Sequence, residues 1–433
     1  MIKKILIANR GEIAIRIIRT CKKMGIKTVA IYSNEDKDAF HVFMADESIC
    51  TEKENNSDGY TNMNNIIQSA INTKCDAIHC GYGFLSENYE FAKKVEESGL
   101  VLIGTKSDSL KEIENKFLLK EKVKKIGVPV IEDHKLDEIK EEILPVLIKS
   151  VVGAGGKGIK KVERLEDLEK ISNQFEYENN KTFSNSDFYI EKFIKGYRHI
   201  EIQFAVDSDK NIITFPERDC TIQKNYKKVI EITPSSDIDN NLIKKLKDDT
   251  IKIVKELNYI NIGTAEFIVD LENNYYFIEI NPRIQVEHTI TEMCTGIDLV
   301  KMQIDIADGK SIKEYNCIEN NSFAMEVRIN ALESNKRVTF YNLPLGNDIR
   351  LETSIYTGMN ISMNYDPLLM KIICKGKTKK DAIVRMKQAL EELIIDGVKT
   401  NIEEVYDVIT NEKFINGKYD LEFLKEVKYE WYF

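Results

Sequence analysis

The sequence predicts a protein of mixed α/β and α+β class, with an N-terminal doubly wound parallel sheet domain, a central core with a small lobe, and a C-terminal mixed β/α domain. Three observations carry this prediction. Apolar segments of strand and helix length alternate over the first 110 residues, short strands flank a glycine-rich loop, and longer antiparallel strands follow that loop. The length of 433 residues also exceeds what a single hydrophobic core usually supports.

The N-terminal prediction rests on a regular alternation of strands and helices. Apolar runs predict strands at 5–8, 28–32, 76–78 and 100–103, and amphipathic periodicity predicts helices at 13–24, 63–73 and 87–98. A strand, a helix and a second strand at this spacing form a right-handed parallel unit. Residues 1–110 are therefore expected to form one doubly wound α/β domain.

The pattern changes after a charged helical stretch predicted at 108–125. Two short strands around the glycine-rich loop predict a small α+β lobe at 129–193, within a central domain that we place at 111–319. Residues 320–433 mix short strands with helices and form the third predicted domain. The remaining predicted strands lie at 145–149, 189–193, 200–206, 212–216 and along a hairpin at 263–280, and the C-terminal helices at 380–393 and 401–411.

Composition narrows the class of protein. The net charge of -9 and the pI near 5.4 argue against a dominant nucleic-acid-binding surface. Eight scattered cysteines without a Cys-x-x-Cys pair fit isolated thiols in a reducing compartment. Charge returns at Arg10 and Glu12 after the first apolar run, so no signal peptide is predicted, and no apolar stretch is long enough to span a membrane. A cytoplasmic location without membrane contact is expected.

The segment from Phe277 to His288 carries the strongest chemical signal. Every second position is polar, and these positions are Glu279, Asn281, Arg283, Gln285 and Glu287. Because alternate side chains of an extended chain share one face, two acids, two amides and a cation would converge there. Pro282 cannot donate a ladder hydrogen bond, so the strand is expected to end near Asn281. Such a face suits a metal-bound phosphate beside a small anion and a proton acceptor.

The loop at 153–158 is a candidate phosphate-binding loop. Gly153, Gly155, Gly156 and Gly158 allow backbone N–H groups to approach an anion, and Lys157 adds positive charge. The spacing matches neither a P-loop nor the dinucleotide fingerprint. By itself the loop is equally compatible with a plain turn.

A predicted hairpin brings further carboxylates to the site. Asn273 and Asn274 are suited to a two-residue turn, which would place Glu266 opposite Asn281 and on the same face as Glu279. Oxygen ligands of this kind hold hard cations. The alternative, a solvent-facing hairpin with incidental acids, is disfavoured by the apolar runs on both sides.

Four single residues are weak signals until they are combined. Lone lysines such as Lys116, Lys149 and Lys228 are usually solvated surface groups, and a lone histidine such as His199 is usually structural. Their neighbourhood makes them candidates, since residues 198–203 alternate polar and apolar side chains and residues 223–228 form a basic run.

Several segments together resemble the biotin carboxylases, which are ATP-grasp enzymes, and this resemblance runs nearly end to end. So many motifs in one order are highly specific. The matching segments are Ile7-Ala8-Asn9-Arg10-Gly11-Glu12-Ile13-Ala14, Gly81-Tyr82-Gly83-Phe84-Leu85-Ser86-Glu87-Asn88, Arg198 to Gln203, Glu217-Arg218-Asp219-Cys220, Asn281 to His288, Glu326 to Asn330, and Leu393 to Asn401.

The resemblance implies roles for individual residues. ATP phosphates would be held by Lys116, Lys149, Gly155 and Gly156, adenine by Glu191, Lys192 and Ile194, and ribose by His199, with Tyr226 near the nucleotide. Magnesium or manganese would be bound by Glu266, Glu279 and Asn281. Bicarbonate would be bound by Lys228, Arg283, Gln285 and Val286, with Glu287 as the base. Arg328 would stabilise the enolate-like biotin after carboxyphosphate has formed and decomposed.

Some positions depart from the family pattern. Val151, Val152 and Ala154 stand where the glycine-rich loop is usually richer in glycine, which predicts a stiffer lid and altered ATP binding. The other departures are Cys80, Asn115 and Tyr226, which stand in place of proline, aspartate and histidine. None of these changes removes a predicted metal ligand, the base or Arg328, so activity is expected.

The resemblance also implies partners. Met386-Lys387-Gln388 lies inside a predicted helix and is not a Met-Lys-Met biotinylation sequence. Biotin would therefore be carried by a separate biotin carboxyl carrier protein, alongside separate carboxyltransferase subunits, most simply within acetyl-CoA carboxylase. A homodimer is expected, with the helix that carries Arg16 and Arg19 as a candidate contact. The alternatives are a subunit of a two-chain pyruvate or other acyl-CoA carboxylase, and a nucleotide-binding regulatory paralogue without catalysis.

Overall fold

The architecture is that of a computed structural model. It describes residues 1–52, 58–151, 158–183, 187–235, 238–315, 322–362 and 365–426. Within these residues, no helix is both long enough and apolar enough to cross a membrane.

The N-terminal part is a five-stranded parallel sheet with helices on both faces, which confirms the predicted doubly wound domain, although the strand Glu47–Cys50 and the helix Phe40–Met44 were not predicted. Its elements are β1 (Lys4–Ile7), α1 (Gly11–Met24), β2 (Lys27–Tyr32), α2 (Phe40–Met44), β3 (Glu47–Cys50), α3 (Met63–Asn72), β4 (Ala77–His79), α4 (Tyr89–Glu97) and β5 (Val101–Ile103). The strand order is β3-β2-β1-β4-β5, and every pair is parallel. Ile5 and Ile7 pack on one face of the sheet and Leu6 on the other, because successive strand side chains point to opposite sides.

A small lobe with its own core follows. The elements of this region are α5 (Ser107–Glu114), α6 (Lys116–Lys125), β6 (Asp133–His134), β7 (Val146–Ser150), β8 (Ile159–Val162), α7 (Leu165–Phe183) and β9 (Phe188–Lys192). The antiparallel sheet has the order β6-β9-β7-β8, and Val146, Ile148 and Phe175 pack beneath it. Helix α7 was absent from the sequence prediction.

The helical stretch predicted at 108–125 is confirmed, but the chain divides it into two helices. The break falls at Asn115, whose side chain accepts a hydrogen bond of 3.0 Å from the Leu118 N–H and so caps α6. The cap places Lys116 on the first turn of α6. Its N–H donates to the Val151 carbonyl at 3.2 Å, which ties the start of α6 to the residue that follows β7.

The central part builds one large sheet. Its elements are β10 (Arg198–Val206), β11 (Ile212–Thr214), β12 (Arg218–Lys224), β13 (Lys227–Thr233), α8 (Asn240–Glu256), β14 (Asn261–Val269), β15 (Tyr275–Asn281), α9 (His288–Thr295) and α10 (Leu299–Ala307). Strands β12 and β13 and helix α8 were not predicted, although Leu242, Leu246 and Ile253 follow a helical spacing and Asp239 caps α8.

The predicted hairpin register is wrong. The connection between β14 and β15 spans 270–274 rather than two residues, and Glu266 lies opposite Glu279, while Asn281 lies opposite Thr264. An irregularity between Glu266 and Phe267 adds one residue to the offset. The predicted end of the strand at Asn281 is confirmed.

The C-terminal part continues the same sheet. Its elements are β16 (Phe323–Asn330), β17 (Lys336–Arg337), β18 (Phe340–Asn342), β19 (Ile349–Thr353), β20 (Asn360–Ile361), β21 (Leu368–Gly376), α11 (Lys379–Glu392), β22 (Ile394–Asp396), α12 (Ile402–Thr410), α13 (Glu412–Ile415) and α14 (Phe423–Glu426). The large sheet has the order β15-β14-β10-β12-β13-β16-β21-β19, with β11 on β10. Strands from both sides of residue 320 therefore share one sheet, which brings Arg328 next to the central strands.

Arg16 is not available for the subunit contact suggested by the sequence. Its side chain is buried and pairs with Glu292 at 2.7 Å and with Asp298 at 2.8 Å. The side chain of Arg19 is 42% exposed and pairs with Glu352 at 3.0 Å. Helix α1 is thus anchored internally through Arg16, and only the Arg19 side of the helix faces outward.

Candidate active site

A cleft separates the small lobe from the large sheet. It contains eight of the residues that the sequence singled out: Lys116, Lys149, Lys192, Ile194, His199, Tyr226, Glu266 and Glu279. Gly155 and Gly156 lie outside the described residues. The apolar walls come from Leu147, Ile268 and Ile278. A flat apolar group with a charged tail fits between these walls and the lysines.

Glu191 does not line the cleft with its side chain. Its carboxylate is buried and accepts contacts from Lys149 at 2.5 Å and from Lys120 at 2.7 Å. Burial opposes ionisation of Glu191, but the two lysines outweigh burial and lower its pKa. The carboxylate therefore holds Lys149 at the edge of the cleft.

Glu266, Glu279 and Asn281 meet at one end of the cleft. Glu266 and Glu279 are direct cross-strand neighbours, and the Asn281 amide donates to Glu266 Oε1 at 2.9 Å. Burial would raise the pKa of Glu266, but Lys228 and His199 lower it well below its usual range, so this carboxylate is ionised. Two carboxylates and an amide oxygen are the donors that Mg²⁺ and Mn²⁺ prefer, so the residues fit such an ion.

A more compact set of possible metal ligands is His199, Glu201 and Glu266, whose ligand atoms lie within 4.8 Å of one another. Glu279 lies outside this set, and its carboxylate accepts a hydrogen bond from the Lys116 ammonium. We favour the oxygen-only set for a hard cation, since imidazole nitrogen suits softer metals. Attraction to Glu279 outweighs burial and raises the pKa of Lys116.

Lys228 is the centre of a buried ionic cluster. Its ammonium lies 2.5 Å from Glu201, 2.8 Å from Glu266 and 2.6 Å from Glu287. Although burial disfavours its charge, these carboxylates raise the pKa of Lys228 well above its usual value. Sequence analysis missed Glu201 as a site residue. It stands two positions after His199 on the same strand face, and that spacing was the available signal.

Glu287 lies between two cations. Its second oxygen accepts from Arg328 at 3.0 Å, and Arg328 also contacts Glu231 at 2.5 Å. Burial favours the neutral acid, but Lys228 and Arg328 outweigh it and hold the pKa of Glu287 far below its usual range. Glu287 is therefore an ionised carboxylate whose basicity depends on the positions of Lys228 and Arg328.

The segment after Pro282 surrounds the same cluster. Arg283 pairs with Glu87 at 2.6 Å and donates to the Asn281 side chain at 3.0 Å. Gln285 donates its amide to Glu266 at 2.9 Å, while the Val286 carbonyl accepts from Lys371 at 2.7 Å. The structure thus brings the predicted acids, amides and cations of 279–287 into one polar centre beside Lys228.

Two further buried carboxylates lie behind Arg328. Glu231 and Glu326 face each other across β13 and β16, and both are fully buried. Burial, together with the negative charge of Glu287, raises the pKa of Glu231 to about 7. Burial, opposed by Lys371 and assisted by Glu231, raises the pKa of Glu326 to about 8. Neutral carboxyl groups are therefore present here near neutral pH.

Glu326→Gln should make stability less dependent on pH. A carboxyl whose pKa is raised on folding stabilises the fold at low pH and loses that contribution as the pH rises through its folded pKa. The variant should therefore gain about 1 to 3 kcal/mol relative to the wild type between about pH 5 and about pH 8.5. Urea unfolding across this range measures the difference.

Glu292→Gln provides the control for this experiment. Burial of Glu292 is outweighed by Arg16 and Arg350, which lower its pKa, so its contribution should stay constant above about pH 5. A stability difference for Glu326→Gln that does not change with pH would contradict the raised pKa.

Comparisons with known proteins agree with this architecture. Family models match residues 1–110 (Biotin carboxylase, N-terminal domain), 109–315 (Carbamoyl-phosphate synthase L chain, ATP binding domain) and 326–426 (Biotin carboxylase C-terminal domain). The chain is 41% identical to Biotin carboxylase 1 of Bacillus subtilis, over 98% of each chain. It is 38% identical to the pyruvate carboxylase of Bacillus subtilis, of which it covers 39%.

Solved structures show the same fold. The biotin carboxylase–β-γ-ATP complex from Campylobacter jejuni superposes with a TM-score of 0.95 at 37% identity, over 98% of this chain and 99% of that one. The biotin carboxylase domain dimer of Hydrogenobacter thermophilus 2-oxoglutarate carboxylase, with MgADP, ADP and bicarbonate, has a TM-score of 0.94 at 39% identity and 98% coverage of both chains.

The fold and the cleft define an ATP-grasp protein, an ATP-dependent ligase. With full-length relatives of about 40% identity, the chain belongs to the biotin carboxylase family.

Proposed function

We propose that this chain carboxylates the biotin of a separate carrier protein, using ATP and bicarbonate through a carboxyphosphate intermediate. One observation carries the proposal. The Lys228 ammonium joins Glu266, at the metal end of the cleft, to Glu287, the candidate base, with contacts of 2.8 and 2.6 Å. A phosphate held at Glu266 and an anion deprotonated by Glu287 would therefore lie within reach of each other, as in-line transfer requires.

The nucleotide is proposed to occupy the cleft. Its adenine would lie near Glu191, Lys192 and Ile194, its ribose near His199 and Tyr226, and its phosphates at Lys116, Lys149, Gly155 and Gly156. Glu266, Glu279 and Asn281 would hold Mg²⁺ or Mn²⁺, which screens charge on the phosphates. Contacts of the two lysines support this, since the Lys149 ammonium is held at the cleft by Glu191 behind it and the Lys116 ammonium contacts Glu279 within the cleft.

Bicarbonate is proposed to bind at Lys228, Arg283, Gln285, Val286 and Glu287. In the structure, Lys228 lowers the pKa of Glu287. When bicarbonate draws the Lys228 ammonium to itself, Glu287 loses part of that attraction and becomes a stronger base. The substrate thus raises the basicity of the residue that removes its proton.

Arg328→Ala should separate the two halves of the reaction. Arg328 is proposed to stabilise the enolate-like ureido oxygen of biotin, and no ATP contact is expected of it. Biotin carboxylation should fall about 10²- to 10³-fold, while the Kd for ATP stays within about threefold. Initial rates with free biotin and ATP titration measure the two effects. Arg337→Ala is the control, because Arg337 is exposed on β17, the next strand along the chain, and this change should leave the carboxylation rate and the Kd for ATP unchanged. An equal loss of carboxylation and of ATP binding in Arg328→Ala would contradict the proposed role.

Release of ADP with and without bicarbonate, in the presence of free biotin, tests the whole proposal. Bicarbonate-dependent turnover is expected, and its absence at saturating ATP would overturn the function. Fixation of labelled bicarbonate into biotin then identifies the product.

The proposed setting is acetyl-CoA carboxylase of fatty acid biosynthesis, with a biotin carboxyl carrier protein and carboxyltransferase subunits as partners. The chain is proposed to form a homodimer. Each chain would have three domains, at 1–110, 111–319 and 320–433. A pyruvate carboxylase setting is the second candidate, because the biotin carboxylase subunit of pyruvate carboxylase is 41% identical to this chain. Identifying the chains that co-purify with the native protein decides between acyl-CoA and pyruvate as acceptor.

A further inference from the structure

Arg218 lies fully buried at the start of β12, directly behind the polar centre. A guanidinium has five N–H donors and no acceptor. In this structure all five have partners: Nε donates to Glu201, one terminal nitrogen to Gln203 and to Thr291 at 2.9 Å, and the other to Thr264 at 3.2 Å and to Gln285. No donor remains for a substrate, so Arg218 can act only through its neighbours.

The contact with Gln285 sets the direction of an amide. Because Arg218 only donates, the Gln285 oxygen must face it, and the Gln285 NH₂ group then points the other way. That NH₂ group lies 2.9 Å from Glu266 and 3.4 Å from Glu201, at the side of the cluster where the anion is proposed to bind. A rotated amide would present its oxygen to the carboxylates of Glu266 and Glu201, which is repulsive.

The contact with Glu201 acts on Lys228. Arg218 donates a hydrogen bond to one oxygen of Glu201, and the other oxygen lies 2.5 Å from the Lys228 ammonium. Glu201 is fully buried, so without Arg218 it would carry a less compensated charge and draw Lys228 more strongly. Arg218 therefore holds two groups, Gln285 and Glu201, whose geometry defines one wall of the anion site.

We infer that Arg218 is a positioning residue for bicarbonate, which fixes the orientation of the Gln285 amide and shares the charge of Glu201 with Lys228. This inference rests on the proposed function. It also gives a role to the Glu217-Arg218-Asp219 segment, for which sequence analysis had none.

Arg218→Lys tests the inference while preserving charge. A single ammonium has three donors on a flexible stem and cannot serve five acceptors in a plane. The KM for bicarbonate should rise at least about tenfold, with the KM for ATP within about twofold. Arg16→Lys is the matched control, because Arg16 is also buried and paired with Glu292 and Asp298 but lies outside the site. It should lower stability and leave the KM for bicarbonate within about twofold.

A double-mutant cycle gives the decisive readout. Gln285→Ala should raise the KM for bicarbonate about tenfold in the wild type but less than about threefold in Arg218→Lys, because the amide is already misdirected there. Effects that multiply, or an unchanged KM for Arg218→Lys, would overturn the inference. Bicarbonate-dependent turnover of the wild type is measured first, so a failure of the proposed function is seen separately.

Thr291→Val is the alternative test variant if the Arg218→Lys protein does not fold. This change keeps the side-chain shape and removes only the acceptor of one Arg218 donor at 2.9 Å. A buried N–H left without a partner shifts the guanidinium, so the KM for bicarbonate should rise about threefold with ATP binding unchanged. An unchanged KM for bicarbonate in a folded Thr291→Val protein would count against the inference.

Discussion

Glu287→Gln should reduce bicarbonate-dependent ATP turnover about 10³-fold and leave ATP binding nearly intact. Glutamine has the shape of glutamate, and its one oxygen can still accept from either Lys228 or Arg328, which contact the two Glu287 oxygens at 2.6 and 3.0 Å. It cannot take a proton from bicarbonate, and loss of a general base typically costs two to four orders of magnitude. Steady-state rates at saturating ATP, together with calorimetric titration of ATP, measure both effects.

Glu272→Gln is the control for the base. Glu272 is exposed in the turn between β14 and β15, at the end of β15 opposite to Asn281, and its substitution should change neither rate nor binding. A Glu287→Gln protein that turns over at a near-normal rate would show that another group removes the proton.

Lys228→Met should destabilise the fold by about 3 to 5 kcal/mol near neutral pH, because it removes the shared cation of three buried carboxylates. Glu201, Glu266 and Glu287 are each less than one-tenth exposed and would lose contacts of 2.5 to 2.8 Å. Catalysis should be lost as well. Urea unfolding measures the stability of the variant against that of the wild type.

The pH dependence of this loss has a definite sign. Lys228 lowers the pKa of Glu266 and Glu287 against the effect of burial. Carboxyls with lowered pKa values stabilise the fold above their unfolded pKa and lose that contribution as the pH falls through the folded pKa. The gap between wild type and variant should therefore be widest near neutral pH and should shrink as the pH falls below about 4.5.

Lys120→Met is the matched control for the lysine. Lys120 is also buried and contacts two carboxylates, Glu191 and Asp133, but the side chain of Asp133 is 23% exposed and water can solvate it. Lys120→Met is therefore expected to lose less stability than Lys228→Met. If Lys228→Met destabilises the fold by less than about 1 kcal/mol, or by an amount that does not depend on pH, the ionic cluster contributes little to the stability of the fold.

Local periodicity was sufficient for four of the five strands of the N-terminal sheet, and only the edge strand β3 was missed. Strand β1, helix α1 and strand β2 were predicted within about two residues of their observed bounds, because buried parallel strands and their covering helices each have a strong apolar pattern. Helix α8 was missed because lysines and aspartates dilute its apolar stripe over 17 residues. The strand end at Asn281 followed directly from Pro282.

The hairpin shows why register was harder. Two adjacent asparagines suggested a two-residue turn, but Asp270 organises a longer one by accepting hydrogen bonds from the N–H groups of Glu272 at 2.9 Å and Asn274 at 2.8 Å. The irregularity beside Glu266 then restores a direct pairing with Glu279. The same two carboxylates meet, but through a register that turn preference alone did not reveal.

The sequence by itself determined the alternation that builds the first sheet, the set of polar side chains after Phe277, and, by resemblance, the family. These follow from short-range chemistry, since side-chain period and proline depend on neighbours along the chain. Only the tertiary structure decided that Glu201, Arg218 and Lys228 join Glu266, Glu287 and Arg328 in one buried cluster. Those contacts span as many as 59 residues of chain, in the pair of Lys228 and Glu287, and they exist because β10, β12, β13, β14 and β16 lie in one sheet. The charge of each group, and with it the pKa of the proposed base, is set by that packing.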